Sequence, residues 1–234
     1  MPIVYLIATP IGNLEDMTAR AVRILNEVDV ILCEDTRVTS KLLAAYHIQK
    51  PLESYHQHST QAKTEAVLRM LVEGKNIAFV SDAGTPGISD PGGMLVEAVW
   101  DRFGDNVKIV PIPGANAAIA ALSVSGFPTD HFRFLGFPPH KKGRKTFFAS
   151  LADMPEALVF FESKYRIEKA LAEIAASCGD RKMMVARELT KQFETLYRGT
   201  ANECLASLQK DKVLGEFVVV IAPLRRQILR GATS

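Results

Sequence analysis

Short, wholly apolar runs alternate along this chain with segments whose apolar positions recur every three or four residues. Residues 3–8, IVYLIA, form such a run and predict a buried strand. Behind it, Met17, Ala21, Ile24, Leu25 and Val28 fall on one helical face. A second strand is expected at 30–33. Val67, Met70 and Leu71 line a further helix, which Gly74 stops before a strand at 77–80. The stretch 94–102 is helix-like, and strands follow at 107–110, 132–137 and 158–161. Ile167, Ala170, Leu171, Ile174 and Ala175 make the cleanest helical stripe, ended by Gly179. Strands at 183–186 and 217–222 complete the pattern. Strands that are apolar from end to end, separated by helices, predict an α/β fold with helices on both sheet faces. A boundary between two domains, 1–113 and 114–234, is expected where PIPGANAA (111–118) interrupts the pattern.

Composition narrows the class. An apolar content of 47% and a charged content of 23% suit a globular chain with an ample core. No apolar run approaches the roughly 20 residues of a membrane span, and no basic leader precedes an apolar block. The three cysteines, Cys33, Cys178 and Cys204, match neither a disulfide framework nor a zinc site. These features predict a cytoplasmic protein without membrane or metal. A net charge of +2 says little, so a nucleic-acid partner has to be argued from local clusters.

The candidate chemistry lies where predicted strands end. Four stretches are rich in glycine, proline or charge: ATPIGNLED (8–16), CEDTRVTSK (33–41), SDAGTPGISDPGG (81–93) and PIPGANAA (111–118). In open α/β sheets ligands sit outside the carboxyl ends of the strands, so four such loops predict one cleft. The third loop has four glycines and two aspartates but no lysine or arginine. A phosphate would call for a cation beside the backbone N–H groups. This loop better suits a ligand with hydroxyls, an adenine edge or a positive centre, and S-adenosylmethionine has all three. G-x-G-x-x-G, G-x-x-x-x-G-K-[ST], H-E-x-x-H and G-x-S-x-G motifs are all missing.

Read in order, the loops resemble the ribosomal RNA small subunit methyltransferase I family, the 16S rRNA (cytidine-2′-O)-methyltransferases of the tetrapyrrole methylase superfamily. The matching stretches are ATPIGNLEDMTARA (8–21), EDTRVTSKLL (34–43), SYHQH (54–58), VSDAGTPGISDPG (80–92), PIPGANAAIAALSVSGFPTDHFRFLGFPP (111–139), VARELTKQFE (185–194) and RGT (198–200). The resemblance implies two α/β domains with a cofactor cleft between them, and a cytoplasmic homodimer acting on 16S rRNA or the small ribosomal subunit. It implies S-adenosylmethionine held by Pro10, Ala83, Gly84, Thr85, Gly87, Ile88, Asn116 and Ala117, with Phe161 and Glu188 from the second domain. The chain departs from the family pattern at Ala115 and Asn116, where Pro-Ser is usual, and at Lys164 and Tyr165, where Pro-His is usual. Many family members also continue into a further C-terminal helical segment.

Methylation of a ribose hydroxyl needs a positioned oxygen and either a base or a cation that steadies it. Asp35 is a candidate proton acceptor and Arg37 a candidate phosphate or oxyanion contact; a helix cap or a structural ion pair is the competing reading. His56, His58, Glu188 and Lys191 are further candidates for the base. For RNA, HKKGRK (140–145) is the densest basic cluster and is expected to be exposed, giving Lys141, Lys142, Arg144 and Lys145 as phosphate contacts, with His56 and His58 beside them. Two other functions compete: methylation of a small molecule such as a tetrapyrrole, and a non-enzymatic RNA-binding module. The acidic, glycine-rich loop argues against the second, as does the lack of aromatic-rich stacking motifs.

Overall fold

The apolar runs of the first half become the strands of a single parallel sheet in the computed structural model, which describes residues 1–56, 59–89 and 92–224. Its strands are β1 (Ile3–Ile7), β2 (Val30–Cys33), β3 (Leu52–Ser54), β4 (Ile77–Val80) and β5 (Lys108–Ile112), in the order β3-β2-β4-β1-β5. Every pair is parallel. Between them run α1 (Ala19–Glu27), α2 (Thr36–Ala45), α3 (Gln61–Val72) and α4 (Gly93–Phe103). The strands look continuously apolar because both faces are covered. Val4, Val30, Leu32, Ile77 and Phe79 pack on Val67, Leu68, Leu71, Leu95 and Val99 of α3 and α4. The alternate positions Ile7, Ile31, Cys33, Ala78 and Val80 pack on Ala21, Ile24 and Leu25 of α1 and Leu43 of α2.

The chain divides into two units, Met1–Asn116 and Ala117–Ser234. The second holds a mixed sheet of β6 (Phe132–Phe134), β7 (Ala157–Ser163), β8 (Met183–Arg187), β9 (Thr195–Gly199) and β10 (Glu216–Ile221), in the order β6-β7-β10-β8-β9. Only β6 and β7 pair in parallel. On one face α5 (Ala117–Ser125) places Ala118, Ala121 and Leu122 against Val159, Met184, Val218 and Val220. On the other, α6 (Arg144–Ser150), α7 (Ile167–Cys178) and α8 (Ala201–Leu208) cover Leu158, Phe160, Val185 and Val219. The fold is α/β, as expected, with helices on both faces of each sheet.

Several local expectations change. CEDTRVTSK is mostly helix: α2 starts at Thr36 because the Asp35 side chain caps it. Pro111 does not end its strand. It lies inside β5, an edge strand that pairs only with β1, so its missing N–H removes no bond from a second neighbour. The strand expected at 132–137 stops at Phe134. The short strands β3 and β9 carry too few apolar residues to stand out as runs. The helix α8 is announced by its capping box, Thr200 with Glu203, rather than by a long stripe.

The basic cluster is also corrected. Arg144 is the first residue of α6 and its side chain is only 5% exposed. Its guanidinium lies 2.7 Å from Glu173 and 3.5 Å from Glu162. Glu162, fully buried, also takes Arg166 at 2.8 Å. Arg144 is therefore a buried structural cation and offers nothing to a phosphate, whereas Lys141, Lys142 and Lys145 are exposed. Removing one partner from a buried charge network leaves the others uncompensated, at a cost of about 3–5 kcal/mol. Arg144→Ala is expected to lower the stability measured by urea unfolding by about that amount. Lys145→Ala, one residue on, should stay within about 0.5 kcal/mol of the parent.

Candidate active site

Because β2, β4, β1 and β5 are parallel neighbours, their carboxyl ends share one edge of the first sheet. The loops that leave them are bound to each other. Thr9, just past β1, and Gly84, past β4, exchange two backbone hydrogen bonds of 2.9 and 3.0 Å. The Thr9 hydroxyl donates to the Ser81 carbonyl at 3.1 Å, and the Ser81 hydroxyl donates to the Gly84 carbonyl at 3.1 Å. Both hydroxyl residues are buried, so these bonds satisfy groups that water cannot reach. Gly84 has φ +87°, and a Cβ there would sit 3.4 Å from Ile11 Cγ2. A side chain larger than hydrogen would be strained at this position and would press on the neighbouring loop.

The loop after β5 joins the same assembly. Ala8 N–H donates to the Ile112 carbonyl at 3.2 Å. The Thr85 hydroxyl donates to the Ala115 carbonyl at 3.1 Å, and Asn116 Nδ2 donates to Thr85 Oγ1 at 3.3 Å. Gly114 approaches Ala8 so closely that a Cβ would lie 2.9 Å from the Ala8 Cβ. The loop after β2 is tied in through Asp35 N–H, which donates to Asp82 Oδ1 at 3.2 Å. Within the first unit the four loops picked out from the sequence thus meet at one edge. Pro10 is buried in this assembly and Thr85 and Asn116 are half-buried, while Ala83, Gly87 and Ile88 face solvent. Thr9 and Ser81, which pin the loops, were not among the expected site residues. Their signal is a hydroxyl placed just after an apolar run.

Asp35 and Arg37 pair with each other. Asp35 Oδ1 accepts from Arg37 N–H at 2.8 Å, capping α2, and the carboxylate takes Arg37 Nη2 at 2.6 Å and Nε at 3.0 Å. The Arg37 side-chain bonds, then its N–H, lower the Asp35 pKa to about 2. Asp35 thus caps α2 and holds Arg37, and the pairing works against proton uptake by its carboxylate. Arg37 itself is 87% exposed. Partial burial raises the Asp82 pKa, against the opposing Asp35 N–H. His56 follows β3 on the same edge, where the adjacent Tyr55 N–H donates to the Cys33 carbonyl at 2.7 Å. His58 and Asp90 lie outside the described residues, as do the arginines after residue 224.

The remaining expected residues belong to the second unit. Ala117 opens α5. Phe161, on β7, contacts the rings of Phe134 and Phe137 at centroid distances of 5.2 and 5.4 Å. Glu188 follows β8; both β7 and β8 run antiparallel to β10, so Phe161 and Glu188 lie toward one edge. Glu188 has φ +52° and Thr190 has φ +65°, conformations that cost about 1–3 kcal/mol each in a non-glycine residue. Burial raises the Glu188 pKa, but the Glu216 N–H at 2.9 Å and Lys191 at 3.0 Å outweigh it and the net shift is downward. Among the described residues no group of three or more His, Cys, Asp or Glu is placed to hold a metal ion. No described helix is long and apolar enough to cross a membrane.

The depressed Asp35 pKa has a measurable consequence. The pair stabilises the fold above the ordinary carboxyl pKa of 3.8 and stops doing so as pH falls through about 2. Carbon-detected NMR titration should find Asp35 near 2, and Arg37→Ala should bring it up toward 3.8. An unshifted Asp35 in the parent protein would contradict the pairing.

Comparison with known proteins places this edge in a family. The chain matches the Tetrapyrrole (Corrin/Porphyrin) Methylases over residues 3–205. It is 45% identical over 222 residues to ribosomal RNA small subunit methyltransferase I of Bacillus subtilis, covering 94% of this chain and 75% of that protein. It is 46% identical over 217 residues to the Thermotoga maritima protein of the same name, covering 93% and 96%. Among solved structures, the uroporphyrin-III C-methyltransferase of Thermus thermophilus complexed with S-adenyl homocysteine has a TM-score of 0.63 at 18% identity, covering 95% of this chain and 97% of that one. Similarity of this extent, over both sheets and the loops between their strands, means that the chain belongs to the tetrapyrrole methylase family and, within it, to the ribosomal RNA small subunit methyltransferase I group.

Proposed function

We propose that this protein is an S-adenosylmethionine-dependent methyltransferase that methylates the 2′-hydroxyl of a cytidine ribose in 16S rRNA. The observation that carries the reading is the Thr9–Gly84 clip in a chain of this family. It holds a glycine-rich loop with no basic side chain of its own at the carboxyl edge of a parallel sheet. The fit rests on the donor set. The loop offers main-chain groups around Ala83, Gly87 and Ile88 and the Asp82 carboxylate, which suit a ribose, a purine edge and a sulfonium better than a phosphate. A structural relative holds S-adenyl homocysteine, the cofactor without its methyl group. Pro10, Ala83, Gly84, Thr85, Gly87, Ile88 and Asn116 would form the first unit's share of the cofactor site.

S-adenosylmethionine supplies an electrophilic methyl group when bound. The protein's part is to hold the ribose oxygen and to manage its charge and proton. Arg37, aimed outward from the start of α2 by Asp35, is the cation available to an RNA phosphate or to the developing oxyanion. Beside Asp35, His56 is the other proton acceptor of the expected set among the first unit's described residues. Lys141, Lys142 and Lys145 would meet RNA phosphates.

Titration calorimetry should show S-adenosylmethionine binding that Gly84→Val and Gly87→Val abolish while far-UV circular dichroism is retained; unchanged affinity in both variants would return the loop to a plain turn. Incubation with labelled cofactor and small ribosomal subunits, followed by nuclease digestion, should yield 2′-O-methylcytidine. Label on a base, or on a porphyrinoid substrate, would overturn the assignment. Arg37→Ala should lower kcat by about 100-fold, the scale for loss of one oxyanion-stabilising group, with cofactor affinity within twofold of the parent.

A further inference from the structure

The turn after β7 carries the most exposed large hydrophobic side chain among the described residues. Tyr165 is 85% exposed, and Lys164 Nζ lies 5.0 Å from its ring centroid. One face of the ring is thereby occupied by a cation while the other stays open to solvent. Phe137, in the loop after β6, is a second exposed ring, at 52%. Because β6 and β7 are adjacent and parallel, both loops leave the same edge of the second sheet.

The two loops are anchored to one buried carboxylate. Glu162, at the end of β7, takes Arg144 from the end of the basic segment and Arg166 from the Tyr165 turn. It also accepts the Ser163 N–H at 2.8 Å. A second carboxylate, Glu173, closes on Arg144 at 2.7 Å. Both arginines are thus paired with buried or half-buried carboxylates, while Lys141, Lys142 and Lys145 are exposed and Lys164 is half-exposed. Exposed rings and lysines on neighbouring loops of one sheet edge, held by a common buried node, form the combination that binds single-stranded nucleic acid: bases stack on the rings and phosphates meet the cations. In a folded monomer an isolated ring of this exposure has no packing role. The lysines select an anionic partner.

We propose that Tyr165, backed by Lys164, is a stacking platform for an unpaired base of the RNA substrate, on the same sheet edge as the loop that carries the lysines of the 140–145 segment. The proposal rests on the RNA-methyltransferase reading and adds a specificity determinant: the substrate has to present a splayed, single-stranded base to the turn after β7.

The test uses fluorescence anisotropy with the full chain, a labelled 12-nucleotide single-stranded RNA and a duplex of the same sequence, across a salt series. Tyr165→Ala should weaken single-strand binding about tenfold and leave the salt slope unchanged. It should affect the duplex less than twofold. Tyr165→Phe should keep the parent affinity. Lys142→Ala should instead flatten the single-strand salt slope by about 0.7. Single abasic replacements along the RNA should include one that costs the parent about tenfold and costs Tyr165→Ala nothing further. Equal affinity of Tyr165→Ala and parent for the single strand, with a parent that does bind RNA, would overturn the platform alone. A parent that binds neither RNA nor small subunits would overturn the RNA reading and the platform together. Since Tyr165 is exposed, melting temperatures should be the same in parent and variants, and cofactor affinity is measured in parallel to confirm an intact first unit.

Discussion

Two backbone hydrogen bonds between Thr9 and Gly84 organise the candidate site. Parallel strands bring their carboxyl ends to one edge, but they do not say how the departing loops sit. The clip decides it: Gly84 can accept and donate to Thr9 only in the left-handed conformation that a glycine adopts without strain. The Ser81 and Thr9 hydroxyls then satisfy the buried carbonyls beneath. Once the β4 loop is fixed, Thr85 donates to Ala115 and accepts from Asn116 of the β5 loop, and Asp82 accepts from Asp35 at the start of α2. The main-chain groups of this region are therefore held on a hydrogen-bonded frame, and such preorganisation lowers the ordering cost of binding any ligand there.

Charge in this protein follows a second rule, that burial decides which ionic groups are available. Asp35 and Arg37 lie at the surface and pair locally, leaving the guanidinium exposed. Arg144 and Arg166 lie under the surface and are consumed by Glu162 and Glu173. Three arginines that look alike as letters thus divide into one that can meet a ligand and two that hold loops in place. The same accounting places Glu188 among strained, ion-paired residues, its carboxylate engaged by Lys191 and the Glu216 N–H.

Much of the fold was legible. The continuous apolar runs at 3–8, 30–33, 77–80 and 217–222 correspond to strands covered on both faces, where burial leaves no polar alternation to blur the signal. The four odd loops were legible too, because glycine, proline and aspartate accumulate where the chain turns at strand ends. The strand β3, with only three residues, was too short to register, and Pro111 looked like a break because its place on a sheet edge is a property of the sheet.

Local pattern by itself determined the α/β class, the position of the glycine-rich loop and, through its motifs, the family. These depend on burial periodicity and on backbone freedom, both of which are written in neighbouring residues. Tertiary structure alone decided the roles of individual side chains. It made Asp35 a helix cap paired with Arg37, moved Arg144 into a buried ion network, and left Tyr165 exposed beside Lys164. Those roles depend on partners such as Glu173, 29 residues from Arg144 along the chain, and on exposure to water. Neither quantity is carried by sequence spacing, because each is set by how separate elements pack.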